Sequence, residues 1–259
     1  MPRFCANLSL LFTEFDFPER FAAAAAAGFR AVECQFPYAW PAERLAAALA
    51  ENGLQMVLHN LPPGDWEAGE RGIACLPGRE EEFGEGLETA VETAHTLGCR
   101  QLNCLAGIPP AGVPAARVHK TLVANLRHAA ARLEQEGIRL LVEALNDRDV
   151  PGFYLRRTAE AVSLIEEVGH PNLFLLYDVY HMQTMEGNLI RTLRANLGRI
   201  GHIQIADPPE RNEPGTGEVN FRNLFREIDA AGYEGWIGCE YRPLRDTLSS
   251  LGWLREIGA

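Results

Sequence analysis

The stretch that decides the fold is Arg139-Leu140-Leu141-Val142-Glu143-Ala144-Leu145-Asn146. It follows Gly137 and leaves through Asn146-Asp147-Arg148-Asp149, a run of loop-forming residues. Apolar residues at successive rather than alternate positions read as a strand covered on both faces, as in a parallel sheet. A carboxylate at the end of such a strand costs free energy unless it is paired, hydrogen-bonded or coordinated. Three later strand-like runs end the same way. Leu173-Phe174-Leu175-Leu176-Tyr177 ends at Asp178, His202-Ile203 runs to Gln204, and Trp236-Ile237-Gly238-Cys239 ends at Glu240.

Outward from this stretch, one grammar repeats: an Ala/Leu/Glu-rich helical segment, a glycine, then a short apolar strand. The glycines are Gly28, Gly53, Gly98, Gly137, Gly169, Gly198 and Gly232, each where a helix needs a left-handed residue before turning into a strand. The pattern predicts strands at 4–8, 30–34, 55–59, 100–104, 139–143, 173–178, 202–206 and 236–240. It predicts helices near 17–27, 41–52, 80–97, 115–136, 158–168, 187–197, 221–231 and 247–257. Eight alternating units imply parallel pairing through right-handed crossovers, which close most naturally into a single (β/α)8 TIM barrel. An open doubly wound sheet is the alternative, but no Gly-x-Gly-x-x-Gly follows any strand. The expected domain is residues 1–259, with an extended loop at about 60–79 over the C-terminal mouth. That loop is far longer than the usual few residues, and long ordered loops on this face often close over ligands.

The 259 residues are 47% hydrophobic and 23% charged, ordinary for a globular protein with a sizeable core. A net charge of −11 argues against nucleic acid or an anionic membrane as partner, since both call for a basic surface. No run of about 18 apolar residues offers a membrane span, and Met1-Pro2-Arg3 leads straight into a strand, so a cytoplasmic location is expected. The six cysteines form no CxxC pair. They read as small buried hydrophobes rather than as a disulfide framework or a zinc–thiolate site. Homo-oligomerisation is left open.

In a (β/α)8 barrel the C-terminal strand ends converge on one mouth, so Glu143, Asp178, Gln204 and Glu240 are expected to meet there from strands five to eight. A carboxylate at a strand end can cap the next helix or form an ion pair. Three brought close repel one another unless a cation stands among them. An all-oxygen set suits a hard divalent ion, Mg²⁺ or Mn²⁺, rather than zinc. Candidates for contacting substrate are His181, three residues beyond Asp178; His59, ending strand three; Arg71, in the long loop; and Arg211. A guanidinium matches a substrate carboxylate with two hydrogen bonds. His202 shares strand parity with Gln204 and is expected one layer deeper in the barrel.

Several stretches resemble the hydroxypyruvate isomerase family, within the xylose-isomerase-like barrels. They are Ala6-Asn7-Leu8-Ser9, Phe36-Pro37-Tyr38, His59-Asn60-Leu61-Pro62 with Gly64-Asp65-Trp66, Ala68-Gly69-Glu70-Arg71-Gly72, Pro77-Gly78-Arg79-Glu80, Tyr177 through Gln183, Glu213 through Glu218, and Gly238-Cys239-Glu240-Tyr241. The resemblance implies that Glu143 and Glu240 transfer protons and that Glu143, Asp178, Gln204 and Glu240 ligate a divalent metal. It also implies a small hydroxy-keto acid substrate, interconverted with its aldehyde isomer through an enediolate. Ala144 stands where the family is expected to have proline, and Gln204 where related sugar epimerases are expected to carry histidine. The competing readings are a 2-oxo-tetronate isomerase, a ketose 3-epimerase, a DNA-repair endonuclease and a non-catalytic barrel that binds a small acid.

Overall fold

The structure, a computed structural model, describes residues 2–256. Its strands are β1 (Arg3–Asn7), β2 (Ala31–Glu33), β3 (Gln55–Asn60), β4 (Gln101–Cys104), β5 (Arg139–Glu143), β6 (Leu173–Asp178), β7 (Ile200–Ile205) and β8 (Trp236–Cys239). All pair parallel with their neighbours in sequence order, and β1 pairs with β8, so the ring is closed. Each strand lies within two residues of its expected place. Gly98 and Gly169 end their helices in the left-handed conformation, where a Cβ would cost free energy. Gly198 instead lies in a short 3-10 turn, Leu197–Arg199.

The helices differ from expectation in two places. A helix over Val179–Met185 follows β6 directly. Its β-branched and aromatic start hides it from propensity, but Asp178 caps it, accepting from the backbone N–H groups of Tyr180 and His181. The last helix is split into Thr247–Ser250 and Gly252–Glu256; position 257 of the expected helix lies outside the described residues.

Most of the core lies between the strands and the helices, where Leu87, Leu102, Leu122, Leu126 and Leu140 are fully buried. A second, small cluster joins Cys5, Ala31, Leu58, Leu141 and Leu176. These precede Asn7, Glu33, Asn60, Glu143 and Asp178 by two residues, so strand alternation puts both sets on the inward face. The barrel interior is therefore apolar low down and polar near its mouth.

The long loop between β3 and the helix Glu80–Leu97 is sewn to the barrel. Leu61 donates its N–H to the Asn103 carbonyl and Cys75 to that of Ala106, both at 2.8 Å. Glu70 pairs with Arg79 across the loop. Gly72 has φ +99°, and a Cβ there would fall 2.1 Å from the Leu105 carbonyl oxygen. Gly72→Ala should therefore destabilise the protein by about 2–5 kcal/mol, from backbone strain and overpacking together. Urea denaturation checks this, and an unchanged midpoint would show that the seam yields freely.

Candidate active site

Glu143, Asp178 and Glu240 are all nearly inaccessible to solvent. Asp178 and Gln204 are direct register partners, and Gln204 pairs with Gly238, two residues before Glu240. Glu143, Gln204 and Glu240 line one mouth cavity of about 540 Å³, together with Arg71, His181 and Arg211. The structure thus brings seven of the eight sequence-derived candidates to the mouth.

His59 is the exception. β2 and β3 slip register between Val32 and Glu33, so that Val32 faces Met56 but Glu33 faces Leu58. The extra residue, Val57, reverses the alternation of everything after it. Leu58 and Asn60 take the inward positions and line the cavity. His59 turns outward against Tyr38, ring centroids 5.8 Å apart. Burial holds its pKa down to about 4. The expectation that His59 points into the mouth is corrected accordingly.

Electrostatics in the mouth are dominated by like charge. Burial, then Glu240 and Asp178, push the Glu143 carboxyl well above its ordinary range. Burial raises Asp178 to about 7, with Arg211 opposing and Glu240 adding to the rise. Arg211 stands in a left-handed backbone conformation, φ +61°, and turns its guanidinium back into the barrel. It pairs with Glu240, lies 3.8 Å from Asp178 Oδ2 and sits 5.0 Å above the Tyr180 ring. Arg211 was expected to receive a substrate carboxylate; its first partner is a carboxylate of the protein.

His181 is held in one tautomer. Its Nδ1 accepts from the Asn146 backbone N–H at 3.0 Å, so the proton of a neutral ring belongs on Nε2. Burial and the nearby Arg211 keep the pKa well below the usual histidine value. Nε2 lies 3.7 Å from Asp178 Oδ2 and 4.0 Å from Glu143 Oε1. The ring is thus a fixed neutral donor. At the rim, Arg71 lies 3.9 Å over the Trp66 ring and donates to the carbonyls of Trp66 and Glu70.

Sequence reasoning missed Glu33. It closes the apolar run Ala31-Val32-Glu33, so the signal that singled out Glu143 was present; the expected strand, 30–34, placed it internally. Glu33 is fully buried and accepts from Asn7 Nδ2 at 2.9 Å, Gln204 Nε2 at 2.7 Å and Cys5 Sγ at 3.4 Å, and bonds His202 Nε2 at 2.6 Å. Burial alone would raise its pKa; His202 and these hydrogen bonds outweigh it and hold the pKa low. Asn7 also donates to Glu240 at 3.2 Å, and Asn103 donates to Glu143 at 3.0 Å.

The donor set fits a hard divalent cation. Among the described residues Asp178 Oδ2 is buried without a hydrogen-bond partner, which is costly for a carboxylate oxygen. Ligand atoms of Glu143, Asp178 and His181 lie within 4.8 Å of one another. The Nε2 proton makes His181 a donor beside that group rather than a ligand in it, which leaves carboxylate and amide oxygens. The Gln204 nitrogen is taken by Glu33, leaving its carbonyl oxygen as the end available to a cation.

A family model described as xylose isomerase-like TIM barrel matches residues 21–257. The chain is 53% identical over 254 residues to hydroxypyruvate isomerase from Escherichia coli (strain K12), with 98% of each chain covered. It is 48% identical over 255 residues to 2-oxo-tetronate isomerase from Cupriavidus necator, again covering 98% of each. A solved chain from Brucella melitensis, described as an AP endonuclease of family 2, is 44% identical and superposes with a TM-score of 0.96 over 99% of both chains. On this evidence the chain belongs to the xylose isomerase-like TIM barrel family, and within it stands with the hydroxypyruvate and 2-oxo-tetronate isomerases.

Proposed function

We propose that this isomerase interconverts hydroxypyruvate and 2-hydroxy-3-oxopropanoate. The observation that carries the reading is that Glu143 and Glu240, from strands three apart in the ring, line one cavity. Two positioned carboxylates can remove a proton from the carbon beside a carbonyl and return one to its neighbour. Glu143, Asp178, Gln204 and Glu240 would hold a Mg²⁺ or Mn²⁺ ion, whose charge stabilises the negative oxygen of an enediolate.

The two glutamates are not equivalent. Among the described residues Glu143 accepts one hydrogen bond, from Asn103, whereas Glu240 accepts from Asn7, Gln35 and Arg211. Glu143 thus keeps an oxygen, Oε1, open to a substrate proton, whereas both oxygens of Glu240 are engaged. Glu143 therefore takes the C3 proton of hydroxypyruvate; Glu240, ionised beside Arg211, takes the O3 hydroxyl proton and passes it to C2, and the proton on Glu143 goes to O2. The Nε2–H of His181 donates to a substrate oxygen and adds no positive charge to repel the cation. With Arg211 engaged by Glu240, the substrate carboxylate falls to the rim, to Arg71 on Trp66. Arg148 and Arg242 line the same cavity. Trp66 lines the cavity and packs on Phe36, ring centroids 5.0 Å apart, which helps exclude water.

The cavity leaves room for a fourth carbon, which makes 2-oxo-tetronate isomerisation the second reading, by the same residues. DNA cleavage is disfavoured by the chain's charge and by the carboxylates at the cavity floor, both of which repel a polyanion. The test is incubation of three-, four- and six-carbon ketoses in deuterated water with Mg²⁺ or Mn²⁺. Label beside the carbonyl and the highest kcat/KM for hydroxypyruvate are expected. A higher kcat/KM for the four-carbon acid would favour the second reading, and no exchange from any ketose would end both.

A further inference from the structure

We infer that Glu33, beneath the proposed cation site, is a positioning residue that decides which end of the Gln204 amide faces the mouth and steadies Glu240 through Asn7. The inference rests on the cation reading above. Glu33 Oε1 accepts from Gln204 Nε2 at 2.7 Å and from Asn7 Nδ2 at 2.9 Å, and the same Asn7 nitrogen donates to Glu240 at 3.2 Å. Oε2 meets His202 Nε2 at 2.6 Å and Cys5 Sγ at 3.4 Å.

A side-chain amide is nearly symmetric in shape but not in chemistry. Its oxygen ligates a cation, whereas its NH₂ group repels one. Turning Gln204 over would set its oxygen against a buried carboxylate. That would replace a charge-assisted hydrogen bond with repulsion, so Glu33 selects the oxygen-out orientation. A carboxylate ligand needs no such selection, since both of its ends are oxygen.

The seat for Glu33 is built into β8, two strands around the ring. A Cβ on Gly238 would lie 2.3 and 2.5 Å from the two Glu33 oxygens. Only a strand without a side chain there lets the Glu33 carboxylate reach past β1 to β7 and β8. Cys5, Glu33 and His202 present ligand atoms within 4.8 Å of one another. At 2.6 Å, however, the His202–Glu33 contact is a hydrogen bond, which occupies the lone pairs that a second ion would need.

The test is Mn²⁺ titration of the full chain by calorimetry, with thermal melting as the control on folding. Glu33→Gln is expected to raise the Mn²⁺ Kd about 10–100-fold, the usual cost of losing a residue that orients a ligand. The swap Glu33→Gln with Gln204→Glu restores the hydrogen bond with donor and acceptor exchanged, and should bind Mn²⁺ at least as tightly as the wild type. Gln204→Glu alone is the reference for the swap: Glu33→Gln should raise the Kd with Gln at 204 but not with Glu there, whereas a merely structural role would raise it in both. Wild-type affinity in Glu33→Gln would overturn the inference and leave the cation site standing, as would a folded swap that binds tenfold more weakly than wild type. Failure of both variants to fold would also overturn it, because a positioning group leaves the apolar core intact. A wild-type chain that binds no Mn²⁺ would overturn the cation reading and this inference together.

Discussion

Glu240→Gln is expected to abolish product formation, with a loss in kcat of about 10²–10⁴-fold, while still exchanging the C3 proton of hydroxypyruvate with solvent. Glu143→Gln is expected to lose both. The difference follows from the hydrogen bonds each glutamate accepts. Among the described residues Glu143 meets one donor, Asn103, and keeps an oxygen open to receive a proton. Glu240 is held ionised by Asn7, Gln35 and Arg211 and relays the O3 hydroxyl proton to C2. With Gln at 240 the enediolate still forms at C3 but can only be reprotonated where it came from, so label enters substrate without turnover. Proton NMR in deuterated water reads both quantities from one sample. Exchange retained in Glu143→Gln and lost in Glu240→Gln would reverse the assignment.

Removing the divalent cation is expected to have an effect of the same order. Exhaustive chelation should abolish isomerisation, and Mg²⁺ or Mn²⁺ should restore it; full activity after chelation would refute a cation role. Asp178→Asn separates metal binding from folding. Asn keeps an oxygen to accept from Tyr180 and His181 at the head of Val179–Met185, so the helix cap survives and stability should change by no more than about 1 kcal/mol. The ligand loses its charge, and Mn²⁺ affinity should fall by at least about 100-fold, more than the loss of an outer-shell partner usually costs. Paired titration calorimetry and thermal melting measure the two effects. A collapsed fold with unchanged affinity in the folded fraction would contradict the assignment.

Asp178 also shows why a buried strand-end carboxylate resists a single explanation from sequence. Such a residue could be a helix cap or a cation ligand, and here the two roles divide between its oxygens. Oδ1 accepts the backbone N–H groups that start the helix, and Oδ2 has no hydrogen-bond partner among the described residues and lies 3.7 Å from His181 Nε2 and 3.8 Å from Arg211. Arg211 illustrates the reverse difficulty. Its side chain carries no periodic signal, and its engagement with Glu240 depends on a left-handed backbone in the loop after β7. That loop is pinned by Asp207, whose carboxylate accepts from the N–H groups of Gly215, Gly217 and Val219.

The sequence by itself determined the alternation of helices and strands and the carboxylates at strand ends. Both are local properties, carried by apolar runs, by residues such as Gly98 and Gly169 that turn helix into strand, and by the closing residue of each run. Only the tertiary structure decided which side chains meet. One extra residue in β3 turned His59 out of the mouth, a bare Gly238 admitted Glu33 to the barrel interior, and Arg211 came to rest between Glu240 and Asp178. Register and clearance between strands are distances between residues far apart along the chain, so no single segment encodes them.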